Sequence, residues 1–210
     1  MNPLIKAGIS IGAIAGVSGA GYGIYNVMQP APKAPEKITT YASVLEGTLL
    51  TTTDDSHKDN WVARLNSLKK VKINIDLVNE LNSLKIKDDA DLWKELREWC
   101  KNNINNPSKG ESDKEFKNIQ SYCTFSIKEK IKNAIDPSTG DSDGKWATAH
   151  GKLKNIDNLK LNQTLRTARD NSDTAAGKKS VKDWCVATYS NPYKGESDPD
   201  FDNAKQICIN

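Results

Sequence analysis

Four cysteines are the residues of this 210-residue chain whose type and spacing most readily support chemistry. They form two pairs with the same separation along the chain, Cys100 with Cys123 and Cys185 with Cys208. Each pair lies on the apolar faces of two predicted helices joined by a short loop, and an antiparallel hairpin would bring its sulfurs together. We expect two disulfides. Four buried reduced thiols in a cytosolic protein remain the alternative, because cysteine packs as a small apolar side chain.

A five-residue motif, Lys-Gly-Glu-Ser-Asp, occurs twice, at residues 109–113 and 194–198. It lacks the closing Gly-Lys-Ser/Thr of a phosphate-binding loop, and the acids that follow Asp198 do not match the ligand spacing of a calcium-binding EF-hand. Its serine and acid spacing is typical of a helix start. We expect Ser112 to cap the following helix and Glu115 to reach back, as in a capping box.

The remaining polar residues do not form a recognisable catalytic set. The two histidines, His57 and His150, each stand apart from other cysteines and histidines. The chain also has no dinucleotide-binding glycine pattern and no Cys-x-x-Cys pair. We therefore expect no enzymatic activity, no metal and no cofactor. An unrecognised hydrolase stays open only if the fold brings acids together in a closed pocket.

An internal duplication supplies the elements that position these residues. The segment from Trp99 to Cys123 recurs from Trp184 to Cys208, without insertion or deletion and with about half of its residues unchanged. Within each copy, apolar residues recur at three- and four-residue spacing, which predicts helices. The sequence therefore predicts an all-α protein with two tandem small helical domains of the same fold, at residues 41–125 and 126–210.

Two further expectations concern the first copy. Residues 71–86 begin with strand-like alternation, but their leucines have helical spacing, and we expect a helix there. Trp93 has no counterpart in the second copy, where Lys178 stands. We expect its ring to be the exposed contact, whereas the tryptophans that occur in both copies belong to the core.

An uncharged N-terminal stretch, residues 7–28, is the candidate membrane segment. A helix of this length spans roughly 33 Å, enough for the hydrocarbon layer. We predict a transmembrane anchor within residues 1–29 and a proline-rich linker at residues 30–40, with a cleaved signal segment as the alternative. Small residues at four-residue spacing would allow this helix to self-associate, and they are Gly8, Gly12, Gly16 and Ala20.

The overall charge argues against nucleic acid as a partner. Lys and Arg number 30 against 27 Asp and Glu, which gives a net charge of +3. Nucleic-acid binding needs a more concentrated positive field than this. We expect membrane lipid to be a partner through the anchor.

Several of these features together resemble the large paralogous families of short, uncharacterised proteins in hemotropic mycoplasmas. Besides the glycine- and alanine-rich N-terminus, the resemblance rests on Leu49-Leu50, Asp54-Asp55 ahead of Trp61, Trp99-Cys100 and the later Cys123. It covers the anchor and both copies, so the chain would be a double-repeat member. The second copy departs from the pattern at Ala134-Ile135 and at the stretch from Asp141 to Asp143, which is flanked by glycines on both sides. The resemblance implies a membrane-anchored, antigenic surface protein, and it carries over no catalytic residues.

These observations favour a single-pass protein of the cell membrane with the bulk of the chain outside. Its partners would be membrane lipid and a host-surface or extracellular protein. The disulfides decide the orientation, because such bridges persist in oxidising compartments. The alternative is a membrane-tethered structural or interaction protein whose helical domains face the cytoplasm with reduced thiols.

Overall fold

The computed structural model describes residues 38–72 and 74–210. In this part of the chain the regular structure is helical, and extended pairing is limited to isolated β-bridges. The helices in chain order are α1 (Tyr41–Val44), α2 (Lys58–Lys69), α3 (Asn79–Lys85), α4 (Leu92–Asn103), α5 (Lys114–Cys123), α6 (Ile127–Lys130), α7 (Gly144–Lys152), α8 (Gln163–Asp170), α9 (Thr174–Tyr189) and α10 (Pro199–Ile207). The all-α prediction is confirmed for the described residues.

The predicted membrane anchor lies outside these residues. Among the helices that the structure describes, none has both the length and the apolar character needed to cross a membrane. The anchor at residues 1–29 and most of the linker at residues 30–40 precede the described part. The same holds for the small residues of the anchor, Gly8, Gly12, Gly16 and Ala20.

The two copies of the sequence repeat share one helical plan. Helices α1–α5 belong to the first repeat and α6–α10 to the second. Each repeat places a short 3₁₀ turn ahead of its third helix, at Asn74–Asp76 and Asn158–Lys160. Each also begins with a short helix whose N-cap amide, at Thr40 or Ser126, is bound by the side chain three residues later.

Backbone pairing ties the beginning of each repeat to its end. Leu49 forms an antiparallel bridge with Thr124, and Ala134 forms one with Ile209, so the two bridges occupy equivalent positions of the duplicated sequence. Next to these bridges, the amides of Leu50 and Ile135 donate to the carbonyls of the second cysteine of each repeat, at 2.9 Å. Each repeat is therefore closed by contacts between its first and last segments.

The fourth helix of each repeat shows why these sequences fold alike. Buried positions recur every four residues along one face, and a stripe with this spacing faces a core. The residues are Leu92, Leu96 and Cys100 in α4, and Gly177, Val181 and Cys185 in α9.

Each repeat has a hydrophobic core of its own. Trp61 belongs to one core and Trp146 to the other, and both are fully buried. Phe125, in the segment between α5 and α6, packs against both cores. Residues 38–210 form one compact unit. That the two repeats are separately folding domains stays a prediction.

The helix predicted over residues 71–86 is wrong in its first half. A 3₁₀ turn occupies Asn74–Asp76, and α3 begins only at Asn79. The reason lies in α5, where the Asn118 side chain accepts from the Val78 amide at 2.9 Å and donates to the Asp76 carbonyl at 2.8 Å. Backbone groups that a continuous helix would pair internally are taken by a side chain from another helix.

Candidate functional site

The four cysteines form two disulfides, as the sequence predicted. Cys100 of α4 is bonded to Cys123 at the end of α5, and Cys185 of α9 is bonded to Cys208 directly after α10. The Cα atoms lie 5.7 Å apart in the first pair and 5.8 Å apart in the second. All four residues are buried. The same cross-link therefore joins the last two long helices of both repeats.

The surroundings of the disulfides indicate a structural role. In each repeat the carbonyl of the second cysteine also accepts the hydrogen bond from Leu50 or Ile135, which brings the first segment of the repeat to the cross-link. In the second repeat the Tyr189 hydroxyl reaches the Cys208 carbonyl at 2.8 Å, and burial raises the pKa of Tyr189 to about 12. Sulfurs this buried are poorly placed for thiol exchange, which needs access for an attacking thiolate.

The junction between the repeats contains an ion pair that the sequence reading missed. Arg64 of α2 is 5% exposed; its Nε donates to the Thr124 carbonyl at 3.1 Å, and its guanidinium pairs with Glu129 of α6. The Glu129 carboxylate also accepts from the Ser126 amide at 2.6 Å. A signal was present in the sequence, because Ala149 stands at the equivalent buried position of the second repeat.

The second repeat satisfies the corresponding carbonyl with a different cation. Lys152 of α7 donates from its Nζ to the Ile209 carbonyl at 2.8 Å, and Ile209 is the counterpart of Thr124. Burial lowers the pKa of Lys152. In both repeats, a cation from the second helix thus donates to a carbonyl in the C-terminal segment. Of these two cations, Arg64 alone also pairs with a residue of the other repeat, Glu129.

A groove of about 380 Å³ lies where α5 meets the Lys-Gly-Glu-Ser-Asp loop of the second repeat. Its two acids already have partners, because Asp198 caps α10 through the Phe201 amide and Asp200 accepts from Asn162. Lys117 and Lys194 also line it, and neither forms an ion pair within the described residues. The groove offers cations and amides to a polar ligand.

The repeated five-residue motif is a helix-capping loop. Its glycines, Gly110 and Gly195, have φ of +93° and +108°, a left-handed conformation that glycine adopts readily. The cap is Asp113 and not the predicted Ser112, because the Asp113 carboxylate accepts from the amides of Glu115 and Phe116. An aspartate at this place already completes the cap, so the serine one residue earlier is not needed.

A tyrosine from the start of the first repeat completes this loop. The Tyr41 hydroxyl lies 3.3 Å from a carboxylate oxygen of Asp113 and 3.3 Å from one of Glu115. Burial, and then the charges of these two acids, raise the pKa of Tyr41 to about 12. Burial acts to raise the pKa of Asp113, but hydrogen bonds from the Phe116 amide and the Tyr41 hydroxyl outweigh it and the pKa is lowered. Asp113 is therefore held ionised within a network of hydrogen bonds that belongs to the fold.

Trp93 is buried, so the prediction that its ring is the exposed contact was wrong. Its exposed fraction is 3%. The side chains of Lys58, Lys94 and Arg97 lie 5.7, 5.6 and 5.2 Å from its ring centroid. Cations at such distances are attracted to the face of an indole ring, and here they cover it. Comparison with Lys178, which replaces this tryptophan in the second repeat, gives no indication that the Trp93 ring is covered by cations.

Within residues 38–72 and 74–210, no group of three or more His, Cys, Asp or Glu side chains is arranged to hold a metal ion. Comparison of the chain with models of protein families, with curated proteins and with solved structures gives no match.

Proposed function

We propose that this chain is a membrane-anchored surface protein whose helical repeats lie outside the cytoplasm and bind a host-surface or extracellular molecule. One observation carries the proposal: a buried disulfide closes both repeats at equivalent positions. Disulfides form and persist in oxidising compartments and are rare in the cytosol. Because the cross-link recurs in both repeats, it is part of the fold and not an accidental bond between two exposed cysteines.

The local chemistry supports binding more than catalysis. The acids Asp113 and Asp198 both cap helices, and Glu129 is occupied by an arginine and a backbone amide. A general acid or base needs a proton it can exchange with a substrate, and these groups are committed to the fold. The polar groove at the junction and the exposed helix faces are therefore the parts of the molecule offered to a partner.

The alternative places the repeats in the cytoplasm as a membrane-tethered interaction protein. In that compartment glutathione and thioredoxin would keep all four cysteines reduced. The helical cores would still bury the thiols, because cysteine packs well as an apolar residue. The redox state of the cysteines in the cell therefore separates the two proposals.

Two measurements on cells that make the protein test the proposal. Cells are lysed directly into denaturant that contains an alkylating reagent, so that buried reduced thiols also react, and the intact mass of the purified chain gives the number of modified cysteines. We expect none modified, whereas four modified cysteines would favour the cytoplasmic alternative. Protease added to intact cells should release fragments of residues 38–210, with a cytosolic protein of the same cells as the control. Full protection of these residues would contradict the surface location.

A further inference from the structure

Two large apolar side chains are exposed at equivalent places in the two repeats. Ile75 is 73% exposed in the 3₁₀ turn Asn74–Asp76, and Leu159 is 87% exposed in the 3₁₀ turn Asn158–Lys160. Single exposed apolar residues are common on protein surfaces. Their recurrence at the same position of a duplicated fold is a different observation. We refer to these two segments as the apolar turns.

A buried side chain holds both apolar turns in the same way. In the first repeat Asn118 donates to the carbonyl of Asp76 at 2.8 Å, and in the second Asn203 donates to the carbonyl of Lys160 at 3.0 Å. Both asparagines are almost fully buried. These matching bonds establish that the apolar turns correspond, although their offset along the chain is one position shorter than the offset between the cysteine pairs.

The residue after each apolar turn is part of a core. Leu77 and Leu161 are 4% and 2% exposed. Each apolar turn is thus fixed by a buried asparagine and followed directly by a buried leucine, so the exposed side chain stands on a supported backbone. Buried hydrogen bonds therefore fix the backbone that carries the exposed side chains of Ile75 and Leu159.

Lysines without ion pairs flank both apolar turns. Lys70 and Lys72 precede the first, whereas Lys154 precedes the second and Lys160 ends it; all four are exposed. Within the part of the chain that the structure describes, none of these four forms an ion pair. One exposed acid, Asp76 or Asp157, lies in or beside each turn, so two lysines against one acid leave an excess of positive charge that can attract an anionic surface.

We propose that each repeat docks through its apolar turn on an anionic phospholipid bilayer. Ile75 and Leu159 enter the boundary between headgroups and acyl chains, and the flanking lysines lie against the lipid phosphates. An apolar side chain that enters this boundary together with neighbouring cations is the usual combination for binding at a bilayer surface. A bilayer needs no shaped pocket for a single protruding side chain, whereas a protein partner would. This contact is independent of the N-terminal anchor and of the proposed surface location.

The test uses residues 38–210, which contain both disulfides and both cores and form one compact unit. Leaving out residues 1–37 removes the predicted anchor, so binding reports only on the repeats. Sedimentation with vesicles measures partitioning onto phosphatidylcholine alone and onto phosphatidylcholine with phosphatidylserine. We expect binding to the second vesicles and much weaker binding to the first. Free glycerol phosphate should not compete, because it offers the phosphate without the bilayer.

Substitutions separate the apolar from the electrostatic contribution. The double variant Ile75→Ser and Leu159→Ser should partition at least about tenfold more weakly onto the anionic vesicles, since burying one such side chain accounts for a factor of this size. The matched control is Ile86→Ser, because Ile86 is 82% exposed but its neighbour Lys87 is already paired with Glu95 at 2.6 Å. This control should bind as the unsubstituted fragment does.

Replacing lysines by glutamine should weaken binding by about fivefold for each charge removed. The four positions are Lys70, Lys72, Lys154 and Lys160. The far-ultraviolet circular dichroism of every variant should match that of the unsubstituted fragment, because all the changes are at exposed positions. The proposal is overturned if the fragment ignores anionic vesicles, if it binds neutral vesicles equally well, if the double variant binds unchanged, or if Ile86→Ser loses as much. The proposal would also be overturned if the double variant still bound the vesicles but no longer bound a protein partner.

Discussion

Removing one disulfide should destabilise the protein by an amount that its loop length sets. The change is Cys185→Ala together with Cys208→Ala, which opens a loop with a sequence separation of 23. The chain-entropy model gives about 3 kcal/mol for a loop of this size. The lost packing of two buried sulfurs adds to this figure. Since a domain has a free energy of unfolding of about 5–15 kcal/mol, the loss is a large share of the total.

The first repeat supplies the matched variant. The Cys100–Cys123 pair has the same sequence separation of 23 and the same burial. Its removal should therefore cost a similar amount. Urea denaturation of residues 38–210, followed by circular dichroism, gives the free energy of unfolding from the midpoint and the slope. Reduction of the unsubstituted protein in urea, where the sulfurs are accessible, provides a control that opens both disulfides without replacing any residue.

The reasoning would be refuted by a loss below about 1 kcal/mol for either pair, because the loop-closure contribution would then be absent. It would also fail if reduction left the denaturation midpoint unchanged while the substituted protein lost stability. That combination would assign the effect to side-chain packing and not to the cross-link.

Three further predictions concern the junction, a tight helix contact and a buried hydroxyl. Arg64→Ala should lower the free energy of unfolding by about 1–3 kcal/mol in urea titrations, because the buried Thr124 carbonyl and the partly buried Glu129 carboxylate each lose a donor. Gly177→Ala should lower the free energy of unfolding by about 1–3 kcal/mol, because the new Cβ would lie 2.5 Å from the His150 Nε2 atom. The matched control is Gly151→Ala, which has open space around the new Cβ and should leave the stability unchanged or raise it by up to about 1 kcal/mol. Folding raises the pKa of Tyr41 to about 12, so the folded protein keeps a proton that the unfolded chain loses near pH 10. The free energy of unfolding should therefore fall as the pH rises between these two values. Alkaline denaturation should show a smaller fall for Tyr41→Phe, which has no hydroxyl to titrate.

Fixed points of the duplication could be predicted from the sequence, but the segments between them could not. The cysteines were placed correctly because identical residues recur around them and because helix geometry limits which sulfurs can meet. The apolar turns were missed because the register slips by one position there, so Ile75 and Leu159 do not align when the two copies are compared at a single fixed offset. The slip becomes visible only through the bonds from Asn118 and Asn203.

Other differences arise where tertiary contacts override local preference. Residues 71–86 have helical leucine spacing, but a side chain from α5 occupies the backbone of their first half. Trp93 looked exposed because its counterpart is a lysine, yet three cations stack over its ring. The ion pair between Arg64 and Glu129 joins residues 65 positions apart; Ala149 at the equivalent position of the second repeat marks Arg64 as different, but it does not identify the partner. Long-range pairs of this kind leave no periodic signal in a sequence.

The segment that links the repeats has a mechanical consequence. Thr124 is bridged to Leu49 of the first repeat, and Ser126, two residues later, is bridged to Pro192 of the second. Phe125 between them packs against both cores, which leaves no slack chain in which a hinge could form. A rotation of one repeat against the other therefore has to break one of these bridges or pull Phe125 out of a core.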